Sequence, residues 1–225
     1  MKKAENSGSF SKKSLGIYDE FLAQTSLDRL QKISARYELL TKIREIPGDL
    51  VECGVFKGSG LYTLAKLNQI LMPRMGRKIV GFDFFETQRN SEFKRKQDKK
   101  VLDWHKENWT SQKTILANLA AVGIKNVELV AGNVTKTTKQ YAQKNLGFRI
   151  AMLYLDVDNY EGTLGILENL FPLITPGGLV VFDEYAVRGH GESDAINEYF
   201  KGQKVKLQSL PWANTPTAYI VKERF

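Results

Sequence analysis

The residues best suited to chemistry fall in two short stretches. In LYLDVDNY, Asp156 and Asp158 follow an apolar run, and in GLVVFDEY, Asp183 and Glu184 follow another. Each run reads as a buried strand whose last residues emerge at its C-terminal edge, where open α/β sheets bind ligands. Asp156 and Asp158 are two apart, a spacing that turns both side chains to one face of a strand. Four carboxylates gathered at one edge cannot all stay charged unless a cation or a proton joins them. Hard divalent cations take oxygen ligands, and Mg2+ keeps waters or substrate oxygens among its six positions. Three carboxylates, two substrate hydroxyls and a water would fill that octahedron. A carboxylate left outside the set would serve as a base toward an acidified hydroxyl. The plain alternatives are a helix N-cap for Asp158 and an ordinary polar strand exit for Asp183 and Glu184.

A second constellation lies upstream. The segment ECGVFKGSG carries Gly54, Gly58 and Gly60 between an apolar run and a helical pattern. Such a turn lets backbone approach a ligand closely, and the helix that follows offers free N–H groups. The spacing is not G-x-G-x-x-G, which argues against a dinucleotide site, and no G-K-[ST] follows, which excludes a P-loop. Asp83 ends the next apolar run, where an acid commonly accepts hydrogen bonds from ribose hydroxyls.

These residues need elements to hold them. From Tyr18 to Ile46 the apolar positions recur at helical spacing, and Pro47-Gly48 ends the pattern. Strands and helices then alternate. DLVECG, KIVGFDFF, VELVAGNV, IAMLYLDVD and GGLVVFDEY read as strands, and helices are expected between them, including a short one over Tyr141–Asn145. KVKLQSL and TAYIVKE read as two further strands with no helix between, hence an antiparallel edge hairpin. The expectation is a mainly parallel α/β sheet with helices on both faces.

The 225 residues suit one large domain. Residues 1–16 read as a disordered basic leader, 17–225 as a single domain with an N-terminal helical segment over 17–46. A secretory signal is not expected, because no apolar stretch follows the charged N-terminus. A single cysteine excludes an internal disulfide, so the cytoplasm is the expected compartment. No apolar run reaches the roughly 18–20 residues of a membrane span. The net charge is +8, and much of the excess lies between Arg89 and Lys106, within an insertion over 86–110 that reads as a lid. Without an RNP motif, zinc-finger spacing or helix-turn-helix signal, nucleic acid is disfavoured as a partner. The basic stretch reads equally as a solvated helix face or as a site for a phosphate-bearing acceptor.

PGDLVECGVFKGSG, IVGFDFFET, LYLDVDNYEGTLGILENLFPLITPGGLVVFDEY and GESDAINEYF together resemble the macrocin O-methyltransferase (TylF-type) family, from about Ser26 to Phe200. The resemblance implies a Rossmann-like class I methyltransferase fold of seven strands, S-adenosylmethionine and Mg2+ as cofactors, and a homodimer. It implies methylation of a hydroxyl on a small polyhydroxylated acceptor, a sugar or nucleotide-linked sugar. Carried over by position, Glu52 and Gly54 would line the methionine and ribose side of the cofactor, with Ser59 and Asp156 also touching it. Asp83 would hold the ribose hydroxyls, with Phe84, Gly132 and Asn133 around the adenine. Asp156, Asp183 and Glu184 would bind the metal, and Asp158 would be the general base. Ser26 and Arg29 match positions near the cofactor loosely. Glu184 stands where many relatives have aspartate, and Asn133 where other class I enzymes often have an acid. A catechol-like hydroxyl as acceptor and a non-catalytic basic binding protein are the competing readings. His190, in AVRGHGES, and the tryptophans at 104, 109 and 212 are further candidates for the acceptor side.

Overall fold

The computed structural model describes residues 12–87, 95–105 and 109–223. Six strands form one sheet: β1 (Asp49–Cys53), β2 (Ile79–Asp83), β3 (Val127–Ala131), β4 (Ile150–Leu155), β5 (Ile174–Phe182) and β6 (Ala218–Val221). Their spatial order is β3-β2-β1-β4-β5-β6. The first five run parallel, and β6 lies antiparallel to β5 at the edge. The described α-helices are α1 (Lys12–Gln24), α2 (Leu27–Lys42), α3 (Ser59–Leu71), α4 (Lys96–His105), α5 (Gln112–Ala121), α6 (Val134–Lys144), α7 (Tyr160–Leu170) and α8 (Glu192–Tyr199). No described helix is long and apolar enough to cross a membrane.

The unbroken apolar runs follow from burial on both faces, as a parallel sheet requires. All of β4 is buried. The two-residue period of a strand sorts its side chains. Leu50, Met152, Tyr154, Leu179 and Val181 pack with Leu39, Leu40, Leu61 and Leu64 of α2 and α3. Val51, Leu153, Leu155, Val180 and Phe182 pack on the other face with Ile166, Leu167 and Leu170 of α7 and Ile196 of α8.

The chain builds outward from β1 to β3, then returns to place β4 on the other side of β1. That reversal opens a crevice at the C-terminal ends of β1 and β4. The register makes those ends level. Cys53 pairs with Phe82 and Leu155, and Leu155 pairs with Phe182. Backbone bonds continue one residue beyond: Gly54 N–H to Phe82 O at 2.9 Å, Asp156 N–H to Cys53 O at 2.8 Å, and Asp183 N–H to Leu155 O at 3.0 Å. Asp83, Gly54, Asp156 and Asp183 thus stand in one row.

Three expectations are corrected. The segment KVKLQSL is not a strand. It contributes one isolated bridge, Gln208 to Tyr219, with reciprocal bonds of 2.9 and 2.8 Å. Lys204 to Leu207 are exposed, so no buried face holds them in a ladder. The described sheet therefore has six strands, not seven. Helix α6 begins at Val134, well before Tyr141, because Asn133 caps it by accepting from Thr135 N–H. The N-terminal helical segment is two helices that break before Ser26. The first starts at Lys12, inside the stretch expected to be a leader; residues 1–11 of that stretch, with 88–94 and 106–108 of the basic insertion, lie outside the described residues.

Candidate active site

The glycine turn is tied to the end of β2. Asp83 Oδ2 accepts from Phe56 N–H and Oδ1 from Phe84 N–H, each at 2.6 Å. One carboxylate thereby fixes the loop after β1 and its own loop. Each oxygen keeps a second lone pair, so a pair of vicinal hydroxyls remains within its capacity. Gly54 has φ +94°, and a Cβ there would lie 1.7 Å from the Asp156 carbonyl oxygen. No other residue type fits where β1 and β4 run so close. Ser59 opens α3, whose first N–H groups face the end of the turn. Gly132 follows β3, with its N–H on Asp83 O at 2.8 Å, and Asn133 is engaged in capping α6.

Strand alternation sends Glu52, Tyr154, Asp156 and Asp183 to the face covered by α2, and α2 answers with two cations one turn apart. Lys32 Nζ lies 2.8 Å from Asp183 Oδ2 and 3.2 Å from Asp156 Oδ2. Arg36 donates to Glu52 Oε1 at 3.3 Å, and its guanidinium stacks 4.4 Å from the Tyr154 ring centroid. The Tyr154 hydroxyl donates to Asp183 Oδ1 at 2.5 Å. These contacts form one chain from Glu52 to Asp156. Burial pushes Glu52 up to about 7, although Arg36 opposes the shift. Burial and the neighbouring Asp183 hold Asp156 well above the usual carboxylate range, with Lys32 acting against them. Burial alone would lower Lys32, but Asp156 and Asp183 outweigh it and raise it.

Asp158 lies beyond β4, which ends at Leu155. It has φ +58°, a left-handed conformation that aspartate tolerates better than most residues. The two-residue strand period therefore does not govern its side chain. The N-cap of α7 is Asn159, whose Oδ1 accepts from Gly162 N–H at 2.7 Å, which removes that duty from Asp158. Asp158 instead meets His190, Oδ1 to Nδ1 at 3.4 Å, and His190 Nε2 lies 3.6 Å from Glu184 Oε2. One donor atom from each of the three lies within 4.8 Å of the others. The contact with Asp158 raises His190 above its ordinary range. Burial, then Asp158, raises Glu184.

Glu192 closes the floor. It is fully buried, its Oε1 accepts from Glu184 N–H at 3.1 Å, and burial holds it well above its ordinary range. From the basic insertion, α4 reaches the same region. Asp98, 1% exposed, accepts from Tyr160 N–H at 3.0 Å. Arg95 pairs with Asp194 of α8 and stacks 4.4 Å from the centroid of Tyr160. That guanidinium is engaged within the protein. Trp212 sits in a groove with Leu27, Leu30, Gln31 and Ser34 on α2.

The four acids singled out in the sequence do converge, but as two pairs, each with its own nitrogen partner: Lys32 between Asp156 and Asp183, and His190 between Asp158 and Glu184, so that among the described residues Glu184 groups with Asp158 and His190 rather than with Asp156 and Asp183. Lys32 and Arg36 escaped the sequence reading. A signal was present for Arg36, which lies between Ala35 and Leu39 on the buried stripe of α2. Nothing in the sequence marks Lys32 except its place one turn earlier. The oxygen donors suit a hard divalent cation, and the ammonium seated between two of them shows that this pair accepts a positive charge.

The profile of the macrocin O-methyltransferase (TylF) family matches residues 21–216. A Streptomyces olivaceus protein, 8-demethyl-8-(2,3-dimethoxy-alpha-L-rhamnosyl)-tetracenomycin-C 4'-O-methyltransferase, is 31% identical over 160 residues, 68% of this chain and 58% of that protein. The chain thus spans a little over half the length of that curated relative. The structure of CalS11, a TDP-rhamnose 3'-O-methyltransferase of calicheamicin biosynthesis, matches with a TM-score of 0.71 at 26% identity, over 96% of this chain and 88% of that one. MycE, solved with Mg, SAH and mycinamycin VI, shares the fold at a TM-score of 0.50 and 14% identity, over 96% of this chain and 61% of that one. The fold is that of the class I methyltransferases, and the chain belongs to the macrocin O-methyltransferase (TylF) family.

Proposed function

We propose that the protein is an S-adenosylmethionine-dependent, Mg2+-dependent O-methyltransferase whose acceptor is a sugar hydroxyl, free, nucleotide-linked or on a natural product. The observation that carries the reading is the level row of Asp83, Gly54, Asp156 and Asp183 at the crevice between β1 and β4, with Asp158 turned out beside it. The tetracenomycin and TDP-rhamnose enzymes named above support a deoxysugar acceptor.

S-adenosylmethionine supplies an electrophilic methyl group, and Mg2+ supplies charge that acidifies acceptor hydroxyls. The chain's own residues do the rest. Asp83 would accept from the ribose hydroxyls, and Ser59 at the start of α3 would also touch the cofactor. Phe84, Gly132 and Asn133 would border the adenine, and Glu52 and Gly54 would form the wall at the methionine end. Asp156 and Asp183 would hold the metal, with Glu184 turning from His190 to join them. Asp158, steadied by His190, takes the proton of the attacking hydroxyl. Methyl transfer is an in-line displacement, so most of the rate gain comes from fixing two reactants in line and removing one proton. A homodimer through the N-terminal helices belongs to the same reading, since Leu15, Ile17, Tyr18 and Leu22 of α1 are exposed.

The test is to incubate the protein with S-adenosylmethionine, Mg2+ and a panel of nucleotide-linked deoxyhexoses, and to follow the acceptor by mass spectrometry. Methylated product that disappears with EDTA and returns with Mg2+ is expected. No S-adenosylmethionine binding by calorimetry would defeat the enzyme reading, and product formation indifferent to chelator would defeat the metal.

A further inference from the structure

We propose that Lys32 and a divalent metal compete for the Asp156–Asp183 pair, so that the metal loads only by displacing the ammonium and releasing the N-terminal half of α2. The proposal rests on the metal reading above and adds a residue and a coupling to it.

The geometry leaves no room for both cations. Lys32 Nζ sits 2.8 Å from Asp183 Oδ2 and 3.2 Å from Asp156 Oδ2. Asp183 Oδ1 already accepts from the Tyr154 hydroxyl, so Oδ2 is its outward ligand atom. A Mg2+ held by these two carboxylates would draw on the same two Oδ2 atoms that the ammonium now engages. Asp183 has a side chain only 2% exposed, and Lys32 only 20%, so water does not screen the conflict away.

The helix is built to give way on one side. Arg36 is 3% exposed and locked between Glu52 and the Tyr154 ring. Arg77 donates to the carbonyls of Ile43, Arg44 and Ile46 just beyond the helix's C-terminus. At the other end, Ser26, Leu27, Asp28 and Arg29 are exposed, and Ser26 caps without a side-chain bond. Lys32 is thus the main polar tether of the first two turns. Its four-carbon stem can swing without breaking the helix.

The experiment uses the whole protein with Mn2+ alone as probe, read by the loss of the free Mn2+ electron-spin-resonance signal. Lys32→Met and Lys32→Gln are compared with wild type and with Asp183→Asn, all checked for folding by circular dichroism. Because apparent affinity scales with the fraction of molecules whose site is free, removing the competitor should tighten Mn2+ binding on the order of tenfold. In wild type, Mn2+ should also speed hydrogen exchange of the α2 amides before Arg36, an effect lost in both Lys32 variants. If folded Lys32→Gln binds Mn2+ no more tightly than wild type while Asp183→Asn abolishes binding, the competition is refuted and the metal site stands. If Asp183→Asn changes nothing, or no form of the protein binds Mn2+, the metal reading falls and this inference with it.

Discussion

Asp158→Asn keeps the shape of the side chain and removes its capacity to take a proton. The variant should lose about 10²–10⁴-fold in kcat, the usual worth of a positioned base. Its affinity for S-adenosylmethionine, measured by calorimetry, should stay within about twofold. Glu52 makes a prediction of another kind. Its folded-state carboxyl is raised from 4.5 to about 7, so the folded protein holds that proton more tightly than the unfolded chain. The stability this contributes is complete below pH 4.5 and is lost as the pH rises through about 7. In Glu52→Gln that loss should vanish, and denaturant titrations of the two proteins should diverge only across this window. The acids themselves were legible in the sequence, because acidic residues directly after an unbroken apolar run have few bland explanations. Their division into two pairs was not. It depends on the left-handed turn at Asp158, and an aspartate declares no φ angle in advance. Lys32 was hidden because a lysine in a charged helix reads as solvent-facing, and only the matching carboxylates across the crevice give it a partner.

Helix α2 is the element on which the acidic side depends. It packs through Ala35, Leu39 and Leu40, it carries Lys32 and Arg36, and its end is received by Arg77. Arg77→Met would leave the carbonyls of Ile43, Arg44 and Ile46, just beyond the helix, without this donor in a partly buried setting. A loss of about 1–3 kcal/mol is expected in urea unfolding, together with faster hydrogen exchange at the C-terminal end of α2. The strand pattern was readable because buried parallel strands are apolar at every position and end in turn residues. The mistaken elements share one cause. KVKLQSL and VTKTTKQY both offer alternation or β-branched residues, yet their fate is set by neighbours: an edge with nothing to cover it, and an asparagine cap that starts a helix. Such decisions are tertiary, and local propensity does not contain them.

At the scale of the whole molecule, the net charge of +8 should act on encounter more than on grip. For a nucleotide-linked sugar carrying two phosphates, kcat/KM should fall on the order of tenfold between low and high ionic strength. A neutral glycoside acceptor should show little change, and equal salt sensitivity for both would assign the charge no part in acceptor capture. The engagement of Arg95 with Asp194 and Tyr160 means that the effect belongs to the surface as a whole rather than to that guanidinium.

The burial of Cys53 has a practical consequence. It is the only cysteine in the chain, it is fully inaccessible, and burial holds its thiol well above the reactive range. The native protein is therefore a silent background for thiol chemistry. A cysteine introduced at the exposed Tyr37, on the outer side of α2, would be the single site to take up a maleimide dye, and the helix could be watched by fluorescence without removing any native residue from the core.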